Sequence, residues 1–381
     1  MTLKLLRLAA SVIAKSGREH PADAVLRTEM KAAHGLSRRD ASAVSRGVFA
    51  HFRWIGWTDA DAPLEQRIEQ ALSLASRFKE NPGSIPDAEL LAKAVPEWVG
   101  GHLEMSAEWL RTLQAEPKIW LRARPGHAED LVQKLEHAKT CGFPDAVAYE
   151  GGADLFRTPE FQAGEFEMQD IGSQAVGRLC DPQPVETWWD ACAGEGGKML
   201  HLADLMQNKG LIWASDRAEW RLRRLRQRAA RAKCFNYRAL LWDGGAKLPT
   251  KTKFDGVLVD APCSGLGTWQ RNPHARWTAT PADVRELADI QRALLAQAAV
   301  SVKPGGRLIY AVCTLTLAET EGVATGFDRA FPEFEPFLSQ SPFAPSAPAQ
   351  SRHWFWPQTT DGNGMFVALW RRKDKKSGQG K

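Results

Sequence analysis

Residues 185–216 read VETWWDACAGEGGKMLHLADLMQNKGLIWASD, and this stretch decides the fold. VETWWDAC is a short aromatic-rich run of strand type, and it passes without a break into the glycine turn AGEGGK. MLHLADLMQNKG carries apolar residues at helical spacing, and LIWASD is a second strand that ends in an acid at Asp216. Strand, glycine turn, helix and strand in that order make a βαβ unit, which sets two parallel strands side by side. Working outward, NYRALLWD is a third strand ending at Asp243, FDGVLVDAP a fourth running through Asp260, and GRLIYAV a fifth leading into Cys313. After the turn Asp361-Gly362-Asn363-Gly364, the run GMFVALWRR predicts a last strand in an antiparallel hairpin with HWFWP. From about Phe166 the chain therefore reads as an α/β, doubly wound, mostly parallel sheet. Ligands of such sheets bind outside the carboxyl ends of the strands, where Asp190, Asp216, Asp243, Asp260 and Cys313 all fall.

At 381 residues the chain exceeds one comfortable core, so two or three domains are expected. A hydrophobic content of 44% and a charged content of 25% are ordinary for a folded soluble protein. The N-terminal LKLLRLAASVIA is interrupted by Lys4 and Arg7, and reads as an amphipathic helix rather than a signal peptide or membrane span. Six cysteines without a CxxC pair or regular spacing argue against a disulfide framework and structural zinc. A reducing, cytoplasmic setting with no metal and no membrane association is the expectation. A monomer is expected too.

Residues 1–95 carry repeated helical patterns, LKLLRLAASVIAK, HPADAVLRTEMKAA and SRRDASAVSRGVFAHFRWIGW, the last with Ser37 and Asp40 spaced for a cap. Residues 96–165 change to mixed α and β: KIWLRARP predicts a strand and HAEDLVQKLEHAKTCG a helix closed by Gly142. Residues 166–373 form the doubly wound domain, and 374–381 a basic, disordered end. No internal repeat is found.

The formal net charge of +5 permits a polyanionic partner without requiring one. The stretch RAEWRLRRLRQRAARAK, from Arg217 to Lys233, reads equally as a phosphate-tracking patch and as a solvated helix face. Most of the fifteen tryptophans belong in the core, and only an exposed one could stack on a base.

Glycines 194, 196 and 197 allow a tight turn and close backbone approach to a ligand, with Lys198 and a helix N-terminus behind them. Asp216, about 20 residues beyond the loop, is spaced to hold ribose hydroxyls, and an acid at the end of strand three can take an adenine amine. Carboxylates with a single lysine suit S-adenosylmethionine better than NAD or ATP. Cys263 and Cys313, each read alone, are small buried hydrophobes. At the ends of two strands in one sheet they read together as a thiol that attacks a ring carbon and a second that helps undo the adduct.

DAPCSGLGTWQRNPHARW from Asp260 and YAVCTLTLAETEGV from Tyr310 resemble the fourth and sixth motifs of the RsmB/Nol1/Nop2/Sun family of RNA cytosine carbon-5 methyltransferases. DACAGEGGKML from Asp190 is similar to that family's cofactor loop, and MQDIGSQAV from Met168 to the segment before it. The resemblance covers residues 166–372 well and 96–163 loosely, and the N-terminal helices look like the NusB-type domain of bacterial members. It implies a Rossmann-like methyltransferase domain with a mostly parallel seven-stranded sheet, an N-terminal helical domain and a small α+β RNA-binding subdomain. It also implies S-adenosylmethionine as cofactor and RNA as partner. Carried over by residue, it assigns the cofactor to Cys192, Ala193, Gly194, Glu195, Gly196, Gly197 and Lys198, with Asp216 on the ribose and Asp243 on the adenine side. Asp260 falls to the target base and is shared with the cofactor site, Cys313 falls to the nucleophile and Cys263 to release. Arg271, Arg276 and Trp277 read either as surroundings for an extruded base or as ordinary loop and core residues.

Three departures stand out. Glu195 replaces a proline of the loop, Val312 a threonine before the nucleophile, and Glu319-Thr320-Glu321 a Glu-Asn-Glu. The leading reading is a ribosomal RNA cytosine carbon-5 methyltransferase, ahead of the same chemistry on transfer RNA. A catalytically silent RNA-binding assembly factor is the alternative from another class, and a cysteine hydrolase fits less well because no histidine lies near either cysteine.

Overall fold

The computed structural model describes residues 1–33 and 35–374, so the expected basic end lies outside the described residues except for Asp374. The chain divides into two units, Met1–Pro117 with Gly265–Asp283, and Lys118–Ser264 with the residues from Val284 onward.

In the first unit the three expected N-terminal helices form as Leu3–Lys15, Ala22–Ala32 and Arg38–Trp54, followed by Leu64–Glu80. The helical spacing of LKLLRLAASVIAK buries Leu5, Leu6, Ala9, Val12 and Ile13 together, and they join Val44, Val48 and Ile68 in one core. Ser37 caps the third helix, its Oγ accepting from the Asp40 amide at 3.1 Å. Helical structure continues to Gln114 because Leu90, Val99, Trp109, Leu110 and Leu113 are all buried in it, so this unit runs past the expected boundary at residue 95.

The same unit takes in Gly265–Asp283, and this decides between two readings. Arg276 is wholly buried there and donates to the carbonyls of Ala94 at 2.8 Å and Leu113 at 2.9 Å. The Trp277 indole donates to Phe52 O at 2.7 Å, and Trp269 meets Trp98 edge to face. Arg276 and Trp277 are therefore structural residues of the helical unit rather than surroundings for a base. Of the two readings open to them this is the second, since the chain changes unit at residue 265.

The second unit opens with a small antiparallel sheet of β1 (Ile119–Ala123), β2 (Ala138–Thr140), β3 (Ala146–Tyr149) and β4 (Phe166–Met168), in the order β2-β3-β1-β4. The helix expected through Gly142 stops at Lys134. His137 turns the backbone with a φ of 63°, and Ala138–Thr140 pairs with β3 instead, so the ladder to β3 overrides a weak helical pattern.

The main sheet comprises β5 (Thr187–Asp190), β6 (Leu211–Asp216), β7 (Tyr237–Leu241), β8 (Phe254–Asp260), β9 (Val302–Val312), β10 (Phe334–Pro336), β11 (Arg352–Phe355) and β12 (Met365–Arg372). Its order is β10-β12-β9-β8-β5-β6-β7, with β11 also on β12, so among the described residues eight strands stand where seven were expected. The run from β9 to β7 is parallel, and β12 is antiparallel to β9, β10 and β11. Because side chains alternate along a strand, Trp188 and Trp189 enter opposite cores. Trp188 joins helices 171–180, 197–205 and 219–231, whereas Trp189 joins helices 281–299 and 321–330. Gly256 of β8 makes room for this: a Cβ there would lie 2.3 Å from the Trp188 ring. Since β6 and β7 build to one side of β5 and β8 and β9 to the other, the strand order reverses between β5 and β8. That is where a doubly wound sheet opens a crevice.

Candidate functional site

A cleft of about 400 Å³ opens at that reversal. Cys192, Ala193, Gly194 and Glu195 line it from the turn after β5, Asp216 from the end of β6, and Asp260 from the end of β8. Asp243 lines it too, although β7 ends two residues earlier at Leu241. The expected cofactor residues thus converge, except that Gly196, Gly197 and Lys198 serve the turn and what lies behind it. Gly196 holds a φ of 87°, and a Cβ on it would lie 2.7 Å from the Leu225 side chain, so the turn requires glycine twice over.

Asp216 is fixed by the backbone. Its Oδ2 accepts from Gly194 N at 3.1 Å and its Oδ1 from Ala218 N at 2.8 Å, which leaves each oxygen a further lone pair. Arg221 stands 3.5 Å from the same carboxylate. Trp242, Ile290 and Leu294 supply apolar wall. The Lys198 ammonium meets Asp260 at 2.7 Å. Burial alone would lower the Lys198 pKa, but the Asp260 charge and hydrogen bond outweigh it and hold the pKa above the ordinary value.

Asp190, just before the lining residue Ala191, is fully buried and neither carboxylate oxygen has a hydrogen-bond partner among the described residues. Burial, and then the Asp260 charge, push its pKa up to about 8, against the pull of Lys198 and the Cys192 backbone. Burial followed by the Asp190 charge likewise raises the Cys192 pKa, which keeps that thiol protonated.

The two cysteines meet at the neighbouring corner. Cys263 follows β8 and Cys313 follows β9, adjacent parallel strands, and their Sγ atoms lie 3.3 Å apart without a disulfide bond. Val312 is fully buried on the core side of β9. Beside the thiols, the wholly buried Glu319 carboxylate accepts from Ser264 N at 2.8 Å and Thr316 Oγ1 at 2.8 Å.

The arginine-rich helix, Glu219–Arg231, is largely neutralised. Arg224 pairs with Glu195 at 3.2 Å and Arg226 with Glu219 at 2.7 Å, while Arg228 and Arg231 pair with the buried Glu167 of β4 at 2.9 and 2.6 Å. Arg217 and Arg223 form no ion pair among the described residues. Trp220 on this helix is 48% exposed and flanked by Arg221 and Arg224. Glu195, where a proline was expected, is held in two ways: by Arg224 through its carboxylate, and by Arg228, which donates to its carbonyl at 3.1 Å.

Sequence reasoning missed Arg221, Trp242, Ile290 and Leu294 in the cleft, and the part played by Glu319. Trp242 and Arg221 adjoin Asp243 and Asp216 closely enough to have been found; the helix 281–299 gave no such signal.

A family model described as 16S rRNA methyltransferase RsmB/F matches residues 178–371. The chain is 40% identical over 305 residues to a protein named "Probable ribosomal RNA small subunit methyltransferase B" of Synechocystis sp. (strain ATCC 27184 / PCC 6803 / Kazusa), spanning 73% of this chain and 68% of the relative. Such curated relatives are longer, and the chain spans about two thirds of their length. The crystal structure of PH0851 superposes with a TM-score of 0.79 at 24% identity, covering 98% of this chain and 99% of that one. NSun6 from Pyrococcus horikoshii, solved with SFG, superposes at 0.60 with 20% identity, covering 70% of this chain and 94% of that one. These two structural likenesses speak to the fold.

Proposed function

Because the chain belongs to the RsmB/F family of 16S rRNA methyltransferases, we propose that it methylates carbon 5 of a cytosine in small-subunit ribosomal RNA, in the cytoplasm, through a transient bond between Cys313 and carbon 6. The observation that carries this reading is the pair of thiols 3.3 Å apart at the ends of adjacent strands, next to the cleft that holds Asp260.

The cleft fits S-adenosylmethionine. Asp216 keeps a lone pair free on Oδ1 for a ribose hydroxyl while Oδ2 also faces Arg221, Asp243 offers an acceptor to an adenine amine, and the apolar wall suits the ring. Among the lining residues the cations are Arg217 and Arg221, the latter already on Asp216, so a run of phosphates would find little to hold it. Bound there, S-adenosylmethionine supplies an electrophilic methyl group.

Carbon 5 of cytosine is too weak a nucleophile to accept that methyl unaided. Addition of the Cys313 thiolate to carbon 6 places carbanion character on carbon 5, and the thiol proton leaves to solvent. Lys198, within electrostatic reach of Cys313 and 2.7 Å from Asp260, favours both the thiolate and negative charge on the base. A proton taken up from solvent at ring nitrogen 3, whose N–H then donates to the Asp260 carboxylate, offsets that charge as it develops. The new carbon–carbon bond leaves one proton on carbon 5. Loss of that proton and of the one on ring nitrogen 3 to solvent restores the double bond and expels Cys313 as thiolate, with Cys263 assisting at 3.3 Å. Two thiols placed this closely at the mouth of a cleft disfavour a silent assembly factor. The N-terminal helical unit would add RNA contacts, as the NusB-type resemblance suggests.

Ribosomal rather than transfer RNA is favoured by the family. The test is methyl transfer from labelled cofactor to 16S rRNA and to tRNA transcripts, with bisulfite sequencing of RNA from cells lacking the gene. Label confined to tRNA, or an unchanged 16S methylation map, would overturn the substrate assignment.

A further inference from the structure

We propose that Glu319 is the positioning residue of the thiol pair, a buried carboxylate that ties the loop carrying Cys263 to the loop carrying Cys313. The inference rests on the reading of these thiols as reaction partners.

Glu319 is wholly buried, yet it forms no salt bridge among the described residues. A buried carboxylate without a cation persists only when donors saturate it. Five do so here. Its Oε1 accepts from Ser264 N at 2.8 Å and Gln291 Nε2 at 3.0 Å. Its Oε2 accepts from Thr316 Oγ1 at 2.8 Å, Thr314 Oγ1 at 3.2 Å, and the Ser264 hydroxyl. Ser264 is the residue after Cys263, and Thr314 the residue after Cys313. One acceptor thus holds both loops one residue beyond each thiol.

The network is oriented from behind. Gln291 Nε2 also donates to Pro262 O, one residue before Cys263, at 2.9 Å, and Tyr310 OH donates to Gln291 Oε1 at 2.9 Å. Pro262 O and the Glu319 carboxylate can only accept, which fixes the amide with its nitrogen toward both. Tyr310 OH lies 2.6 Å from the Glu319 carbonyl as well. The loops follow strands that no longer share ladder bonds at this point, so their mutual position depends on side chains. Because Glu319 has no exposed surface, it acts on the reaction through the cysteines and does not touch substrate.

Geometry, rather than charge, is what Glu319 contributes. Glutamine would keep an oxygen for Ser264 N and Gln291, and its amide nitrogen would face hydroxyls that can turn to accept. Alanine would leave five side-chain and backbone groups without their common acceptor.

The experiment measures how fast diamide closes Cys263 and Cys313 into a disulfide, two electrons and two protons passing to the azo bond, in a Cys141→Ser background that removes the exposed thiol. Glu319→Ala is expected to slow closure about tenfold or more and to depress kcat while leaving cofactor Kd unchanged, whereas Glu319→Gln stays within about threefold of the parent in closure rate. Should Glu319→Ala fail to fold, Ser264→Ala, which removes one hydroxyl from the bridge, is expected to slow closure by a smaller factor. An unchanged closure rate in the folded variant overturns the proposal. So does Glu319→Gln matching alanine in lost activity with an altered pH–rate limb, because that would make the charge the active element. Closure needs neither RNA nor cofactor, so a protein without methyltransferase activity whose closure still depends on Glu319 would refute the proposed function and leave the positioning role standing.

Discussion

The cofactor-type cleft and the thiol corner adjoin along β8, yet their polar groups are used in opposite ways. In the cleft, Asp216 is held by two backbone amides and keeps a lone pair in reserve, and Asp190 feels the pull of the Cys192 backbone but has no well-formed hydrogen bond among the described residues. At the corner, Glu319 has five donors, and its neighbours Ser264, Thr314, Thr316 and Gln291 are all committed to it. On the proposed reading, the first region takes a partner and gives it up; the second is fixed in advance around two sulfur atoms. Binding and reaction place different demands on a polar group, and the molecule meets them on adjacent strand ends.

The largest effect that could break this contrast lies at the corner. Cys313→Ala is expected to lower methylation roughly 10³-fold or more and to form no covalent RNA complex. Cys263→Ala should still add and transfer, then stall, leaving protein crosslinked to RNA on a denaturing gel when cofactor is supplied. A crosslink from Cys313→Ala that is absent from Cys263→Ala would reverse the roles.

Next comes Asp190. In the folded chain it keeps its proton up to about pH 8, whereas the unfolded chain releases that proton near pH 4. The folded state therefore binds more protons between those values, so its stability falls as pH rises through the window and levels off above it. Asp190→Asn should flatten this slope, with a gain of roughly a few kcal/mol at pH 8 and little at pH 4. Denaturant titrations at several pH values would show it, and parallel slopes for parent and variant would remove Asp190 from the account.

Asp216→Ala should weaken S-adenosylmethionine about tenfold or more, from loss of charge-assisted bonds worth roughly 1.5–3 kcal/mol each, without unfolding the unit. Calorimetry giving the parent's Kd would exclude Asp216 from the ribose position. The smallest effect concerns the arginine helix. Since Arg224 and Arg228 are bound to Glu195 and Glu167, glutamine at Arg217 and Arg223 should reduce the salt slope of RNA binding by about 1–2, more than glutamine at Arg224 and Arg228 does. The reverse order would mean that RNA displaces the carboxylates.

Much of the second unit was legible. LIWASD is β6 residue for residue, and the hairpin of HWFWP with GMFVALWRR forms as β11 and β12. Period and glycine placement encode such elements locally. The three-residue β2 was not legible because an edge strand that short carries no alternation. Cys263 and Cys313 could be placed at strand ends, but the 3.3 Å between them follows from β8 and β9 being neighbours and from Glu319, 55 residues from Ser264, joining their loops. Side-chain bonds over that separation leave no periodic trace. The arginine helix failed in a related way: sequence counts its charges, whereas only the fold shows Glu167 of β4 beneath them.

The passage of residues 265–283 into the helical unit bears on how such a protein can be inherited or cut. A unit made of two chain segments is not a cassette that recombination can add or drop at one junction. A break at Pro117 would leave Arg276 without the carbonyls of Ala94 and Leu113, and Trp269 without Trp98, in the segment that directly follows Cys263 and Ser264. The helical unit and the sheet must therefore travel as one gene segment, and any exchange of the N-terminal part between relatives has to carry residues 265–283 with it.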